Sequence, residues 1–173
     1  MELRAGEVVG PAELEGGGQK ALLRRILAPV RGGGLAREGR ASFVSGDRAT
    51  EGVFPLWSVF ENVAVGRLAR ASPLISVRIR VEAVKARTWA GRLALAADRL
   101  GNGILDPSGG NQQRALIARG LVDESPAVLL DDPTRGLDIG AKRDFCRALR
   151  QVAAEGRLAL WHSTEDAELL ECD

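Results

Sequence analysis

Two stretches of this sequence bring together residue types that can handle phosphate. Ser108-Gly109-Gly110 opens an amphipathic segment running from Asn111 to Leu121. Unsatisfied N–H groups and the positive end of the helix dipole make such a terminus an anion site. Downstream, Val128-Leu129-Leu130-Asp131-Asp132 is an apolar run ending in two carboxylates. It reads as a buried strand delivering acids to a sheet edge, and in open α/β sheets ligands bind beyond the strand carboxyl ends. One acid there could hold Mg²⁺, which favours carboxylate oxygens together with substrate phosphates. Taken singly, a Ser-Gly-Gly cap or an Asp-Asp turn is an ordinary element start. Their order, with Gly136-Leu137-Asp138 following, is what makes the pair specific.

The elements that must position these groups follow from spacing. Glu7-Val8-Val9-Gly10 begins a short strand, Glu13 to Gln19 is a glycine-rich turn, and Lys20 to Leu27 is an amphipathic helix. Strand, glycine loop and helix form the context that phosphate binding by a loop requires, and an ordinary strand-to-helix turn has the same outline. Ala41 to Ser45 reads as the next strand, followed by Gly46-Asp47-Arg48, and Glu51 to Trp57 as an apolar connector. Ser58 with Glu61 gives a capping-box pattern at a helix start. Val77 to Leu100 is helical and arginine-rich, read as a solvated face, and Gly101-Asn102-Gly103 ends it. Asp138 caps a helix from Ile139 to Ala154, with Phe145, Leu149 and Val152 on its core face. Arg157 to Trp161 is another strand, and Glu165 to Glu171 a final helical turn or two. This alternation predicts an α/β fold: a mostly parallel sheet with helices on both faces.

Composition sets the outer bounds. The chain has 173 residues, 45% hydrophobic and 27% charged, which suits one globular domain with a real core. A formal net charge of +1 gives no global field for nucleic acid, so none is expected as a partner. The two cysteines, Cys146 and Cys172, are too few for a disulfide framework and are expected as reduced thiols. No apolar run approaches the roughly 20 residues of a membrane helix, so any membrane link would go through a partner.

From Asp106 to Lys142 the sequence resembles the signature, Walker B and D-loop stretch of an ABC ATPase. Asn111-Gln112-Gln113 and Asp132-Pro-Thr-Arg-Gly-Leu-Asp-Ile-Gly-Ala-Lys look like the sugar-import branch, as the second, degenerate cassette of a tandem ATP-binding protein. The resemblance implies a P-loop NTPase-like core over 1–57 and 122–173, and a small helical subdomain over 58–121 carrying the signature. It implies ATP and Mg²⁺ as ligands, with Gly16, Gly17, Gly18, Gln19, Lys20 and Ala21 at the phosphate loop. Asp131 would be the metal carboxylate, Asp132 the general base, Thr164 the switch position and Asp138 the D-loop acid. Ser108, Gly109, Gly110, Asn111 and Gln112 would complete the ATP site of a partner cassette. The implied partners are that second cassette, membrane permease subunits and a solute-binding protein. The implied location is the cytoplasmic face of the cell membrane, held there through the permease.

Several positions depart from the family pattern. In the phosphate loop Glu13 stands for the first Gly, Gln19 for the phosphate-binding Lys, and Lys20 for the metal-binding Ser or Thr. Gly46 replaces the Q-loop Gln or Glu, Pro107 replaces a Leu, and Asp132 replaces a Glu. His162, the sole histidine, falls two residues before the switch position and reads as a structural residue, with a substitute role as the alternative. The chain is expected to be cut at both ends relative to the family, lacking opening strands with an adenine-stacking aromatic and closing strands with a helix. These departures predict a site that cradles nucleotide through backbone N–H groups and hydrolyses it weakly or not at all. Two other readings stand beside this one: a non-transport ABC protein, and a catalytically inactive remnant or interaction module.

Overall fold

The structure is a computed structural model, and it describes residues 2–10, 18–28, 39–68, 78–106 and 108–164. Glu13, Glu15, Gly16, Gly17, Gly32 to Gly34, Pro107 and the segment from Glu165 to Glu171 lie outside the described residues.

Four strands form one parallel sheet in the order β1-β4-β3-β2: β1 (Val8–Val9), β2 (Ala41–Val44), β3 (Ala127–Asp131) and β4 (Leu158–His162). Side chains alternate between the two faces, as strand geometry requires. Ala41, Ala127, Leu129 and Leu160 share one apolar cluster with Leu23 of helix α1 (Gln19–Leu27). Val44, Val128, Leu130, Ala159 and Trp161 join the other cluster, with residues of α4 (Gly109–Val122) and α5 (Ile139–Ala154). Helices therefore cover both faces of the sheet. No residue of β3 is exposed, as expected for a parallel strand covered on both sides.

Two close approaches fix the second face. A Cβ on Gly120 of α4 would overlap the Val44 methyl of β2, and Ser42 Oγ donates to the Gly120 carbonyl at 2.9 Å. Phe145 of α5 meets Trp161 of β4 edge to face, ring centroids 5.0 Å apart. Phe145, Leu149 and Val152 are buried, and Asp138 caps α5 by accepting from the Ala141 N–H at 2.9 Å.

Helices α2 (Val59–Leu68) and α3 (Arg78–Arg92) pack on α4 and on each other. The capping box is present: Glu61 N–H donates to Ser58 Oγ at 3.2 Å, and Ser58 N–H to Glu61 Oε2 at 2.8 Å. Arg119 of α4 threads this region, donating to the Asn62 carbonyl, Asn62 Oδ1 and the Gly52 carbonyl at 2.6, 2.8 and 2.7 Å. Burial pushes its guanidinium down to about 10. Arg67 of α2 is held by Glu82 and Glu124. Of the α3 arginines, Arg87 lies over the Phe60 ring and Arg92 over Trp89, so part of that face packs on aromatics.

Four local expectations need correction. Helix α4 starts at Gly109 rather than Asn111, because the glycine amides already belong to its first turn. A short π-helical turn, Arg48–Gly52, follows β2 and takes in Glu51 and Gly52, which were read as part of the connector. Arg157 lies outside β4: its buried guanidinium donates to the carbonyls of Ser125 and Leu121 instead. Cys146 is disulfide-bonded rather than a free thiol, and Cys172 lies outside the described residues.

Candidate functional site

The carboxyl ends of β3 and β4 bring Asp131 and His162 side by side in register. Both belong to the sheet face that α1 covers, because alternation from Leu129 and Leu160 places them there. The Asp131 side chain is 2% exposed and both of its oxygens are engaged. His162 Nδ1 lies 3.1 Å from Oδ1, and Lys20 Nζ lies 3.5 Å from Oδ2. Lys20 arrives from the first turn of α1, whose N-cap residue Gly18 is left-handed at φ 89°, a conformation that glycine adopts without strain. Gln19 is buried there, while Ala21 faces solvent.

Asp132 follows immediately and leaves the strand in a left-handed conformation, φ 49°. Its N–H donates to the His162 carbonyl at 2.8 Å, which ties the turn to β4. The Thr164 hydroxyl lies 3.2 Å from Asp132 Oδ1 and 3.3 Å from Oδ2. A hydroxyl beside a buried carboxylate is a hydrogen-bond donor to it, so this pair can orient a third polar group but is itself already satisfied. Gly46 closes over the same turn. A Cβ there would stand 2.8 Å from the Asp131 carbonyl oxygen and 3.2 Å from Asp132 Cβ.

A second grouping forms at the start of α4. Ser108 is its N-cap residue, exposed, and its side chain makes no capping hydrogen bond. Gly109 is exposed beside it; Gly110, Asn111 and Gln112 are half-buried. The Arg48 guanidinium donates to the Gly109 carbonyl and reaches toward Gly136. Arg114 of α4 pairs with Asp138, Nη2 to Oδ2, at 3.0 Å. The Ala141 N–H, and then the Arg114 charge, hold the Asp138 carboxyl below the usual carboxylate range.

The sequence-derived residues thus fall into two sets: Lys20, Asp131, Asp132 and Thr164 around the strand ends, and Ser108 to Gln112 with Asp138 around the α4 start. The contacts of Arg48, named in sequence only as part of Gly46-Asp47-Arg48, and of Arg114 were not anticipated. Their partners are remote along the chain. The His162–Asp131 pair had one, the alternation of β4 carried one step further than Trp161. Among the described residues no group of three His, Cys, Asp or Glu side chains is placed to hold a metal ion.

A third feature is the connector before α2. Leu56 is 96% exposed, and Phe54 and Trp57 stack on each other with centroids 4.7 Å apart. Among the described residues no helix is long and apolar enough to cross a membrane.

Comparison with known proteins gives this geometry its context. The family profile described as ABC transporter matches residues 36–135, more than half of the chain. A ribose import ATP-binding protein of Rubrobacter xylanophilus, RbsA 2, is 38% identical over 98% of this chain and 36% of its own length. A ribose import ATP-binding protein of Mesorhizobium japonicum, RbsA 1, is 32% identical over 99% of this chain and 37% of its own length. The chain therefore spans little more than a third of these relatives. Among solved structures, the dimeric bacterial ABC transporter cassette MJ0796 superposes with a TM-score of 0.78 at 21% identity, covering 97% of this chain and 79% of the other. A post-hydrolysis state of the same cassette, bound to ADP and Pi, gives 0.77 at 20% identity, with the same coverage.

Proposed function

The chain belongs to the ABC transporter family, and from that premise we propose that it is an ATP-binding cassette of a sugar-type importer whose role is to complete a partner's site. The observation that carries this reading is the contrast between the two groupings. The start of α4 keeps its phosphate-facing parts: Ser108 exposed with its hydroxyl uncommitted to the cap, Gly109 beside it, and a 14-residue helix behind them. The chain's own carboxylate, Asp131, is already bound on both oxygens.

In this reading an intact second cassette holds ATP with Mg²⁺ on its own phosphate loop. Ser108, with the N–H groups of Gly109 and Gly110, then donates to the γ-phosphate across the dimer, and Asn111 and Gln112 line the approach. Closure of the two cassettes excludes water and assembles the reacting geometry. Asp138, held to α4 by Arg114, keeps the D-loop in step with the signature. The chain's own loop, Gly16 to Ala21, with Asp132 and Thr164, contributes little or no hydrolysis. Residues 58–121 form the helical subdomain that docks on the membrane permease at the cytoplasmic face, and a solute-binding protein delivers a ribose-like sugar.

The test is steady-state ATPase of the complete importer with the Ser108→Arg variant. A bulky cation in place of the serine blocks closure, so activity is lost while the fold of this chain is kept. A charge-assisted hydrogen bond to phosphate is worth about 1.5–3 kcal/mol, so Ser108→Ala lowers the rate about tenfold or more. Full activity in Ser108→Arg overturns the composite-site reading. The remaining reading is then a non-hydrolytic remnant, which the engaged Asp131 favours.

A further inference from the structure

We propose that this chain's own nucleotide site carries its cation in the sequence: the Lys20 ammonium stands in for the divalent metal, and the site takes a nucleotide phosphate chain without Mg²⁺. The inference rests on the reading of Gly18-Gln19-Lys20 as the end of a phosphate loop, and concerns a different site from the one Ser108 completes.

Three observations carry it. The Asp131 carboxylate is 2% exposed, yet its charge is met within the chain, Lys20 Nζ on Oδ2 at 3.5 Å and His162 Nδ1 on Oδ1 at 3.1 Å. A metal-dependent site would instead leave this carboxylate to the ion. Mg²⁺ demands oxygen ligands at about 2.0–2.1 Å in near-octahedral geometry. Here the position from which α1 would offer a hydroxyl offers an ammonium, which donates only and repels a dication. The position from which the loop after β2 would offer a side-chain oxygen is Gly46, whose Cβ direction is blocked by the Asp131 carbonyl at 2.8 Å. The donor set that remains does not fit a divalent ion.

The Lys20 side chain is nevertheless 59% exposed, so its ammonium can face a ligand while the Asp131 carboxylate anchors it. A single positive charge on a flexible stem, at the amino end of a nine-residue helix, suits the terminal phosphate of a nucleoside di- or triphosphate. Bound there without a metal, the phosphate chain lacks the ion that would neutralise charge developing on the leaving oxygen. The site is then one of occupancy and not of turnover.

Two measurements on the full chain test this. His162 is the sole histidine, so its imidazole resonances report directly on Asp131. With Mn²⁺ and ADP added in stoichiometric amounts, the His162 signals are expected to persist in the wild type and to be broadened beyond detection in Lys20→Ser. The affinity for a fluorescent ADP analogue is expected to agree within about twofold between excess Mg²⁺ and excess EDTA in the wild type. In Lys20→Ser it should become at least tenfold weaker in EDTA than in Mg²⁺. Loss of the His162 signal in the wild type, a tenfold preference of the wild type for Mg²⁺, or no nucleotide binding under either condition each overturns the proposal. None of these outcomes touches the Ser108→Arg result, which reads the partner's site.

Discussion

Arg114 and Asp138 join two elements that lie far apart in sequence: Nη2 meets Oδ2 at 3.0 Å, while the other oxygen of Asp138 caps α5. One carboxylate therefore serves a helix cap and a tie to the neighbouring helix at once. Asp138→Asn separates these roles, because Asn caps a helix about as well as Asp and carries no charge. The variant is expected to melt within about a degree of the wild type, since exposed ion pairs contribute little. In the importer complex proposed above it should lower ATPase activity, because α4 and the D-loop are no longer held in step. Equal activity in a rate assay on the complete complex would show that the pair is only a surface contact.

Gly120→Ala tests the seam between α4 and β2. The new methyl overlaps Val44, and overpacking of this kind costs about 1–3 kcal/mol. Thermal unfolding should show a loss of several degrees. Removing the opposing methyls in Gly120→Ala with Val44→Ala should be less than additive, and the double-mutant cycle reads that coupling directly.

Gly46→Gln puts back the side-chain amide typical of a Q-loop, and it is expected to harm rather than restore. Its Cβ meets the Asp131 carbonyl oxygen at 2.8 Å, so the Asp131-Asp132 turn has to move. A destabilisation of about 1–3 kcal/mol by denaturant titration is the expected outcome. An unchanged midpoint would mean that the turn yields freely.

The isolated chain is expected to hydrolyse ATP negligibly. Asp132 is one methylene shorter than a glutamate, and a misplacement of about 1 Å at the reacting water can cost on the order of 100-fold. Phosphate release by the purified chain at a rate typical of an active cassette would refute this.

The acid limb of stability has a definite sign. Glu61 is held below the usual carboxylate range by the Ser58 N–H and hydroxyl, Glu51 by Arg24 and Ser45, and Asp138 by the Ala141 N–H. A lowered folded-state pKa contributes stability that is present above the unfolded value, roughly 4, and is lost as pH falls through the folded value. Melting temperatures should therefore be level near neutrality and fall below about pH 4.5. Glu61→Gln, which can still bond back to Ser58, should flatten part of that slope.

What the sequence disclosed and what it withheld divide along the reach of each interaction. Helix α5 and the Ser58–Glu61 box were legible because their determinants are a few residues apart and repeat with helical period. The sheet was legible in outline because β2, β3 and β4 are apolar runs bounded by turns and helices. The Arg48 contact with Gly109 was not, since its partners are 61 residues apart and any exposed arginine looks alike in sequence. Lys20 stood out in sequence as a cation at the position expected for a metal-binding hydroxyl. Its pairing with Asp131 depends on where α1 meets β3, a fact of packing and not of local pattern. The glycine at position 46 advertised a turn, and only the proximity of the Asp131 carbonyl gives it a second reason.

The pairing of Lys20 with Asp131 also bears on how such a chain can change over generations. Serine at position 20 would return a hydroxyl beside the buried carboxylate and take away the charge that Lys20 supplies there. A larger residue at position 46 would push on the same turn. A single exchange at position 20 therefore alters the metal dependence of the site without rebuilding a hydrolytic one, since Gly46 is still closed off by the Asp131 carbonyl. At this end of the sheet the chain keeps a resident charge where a metal site would keep an open carboxylate.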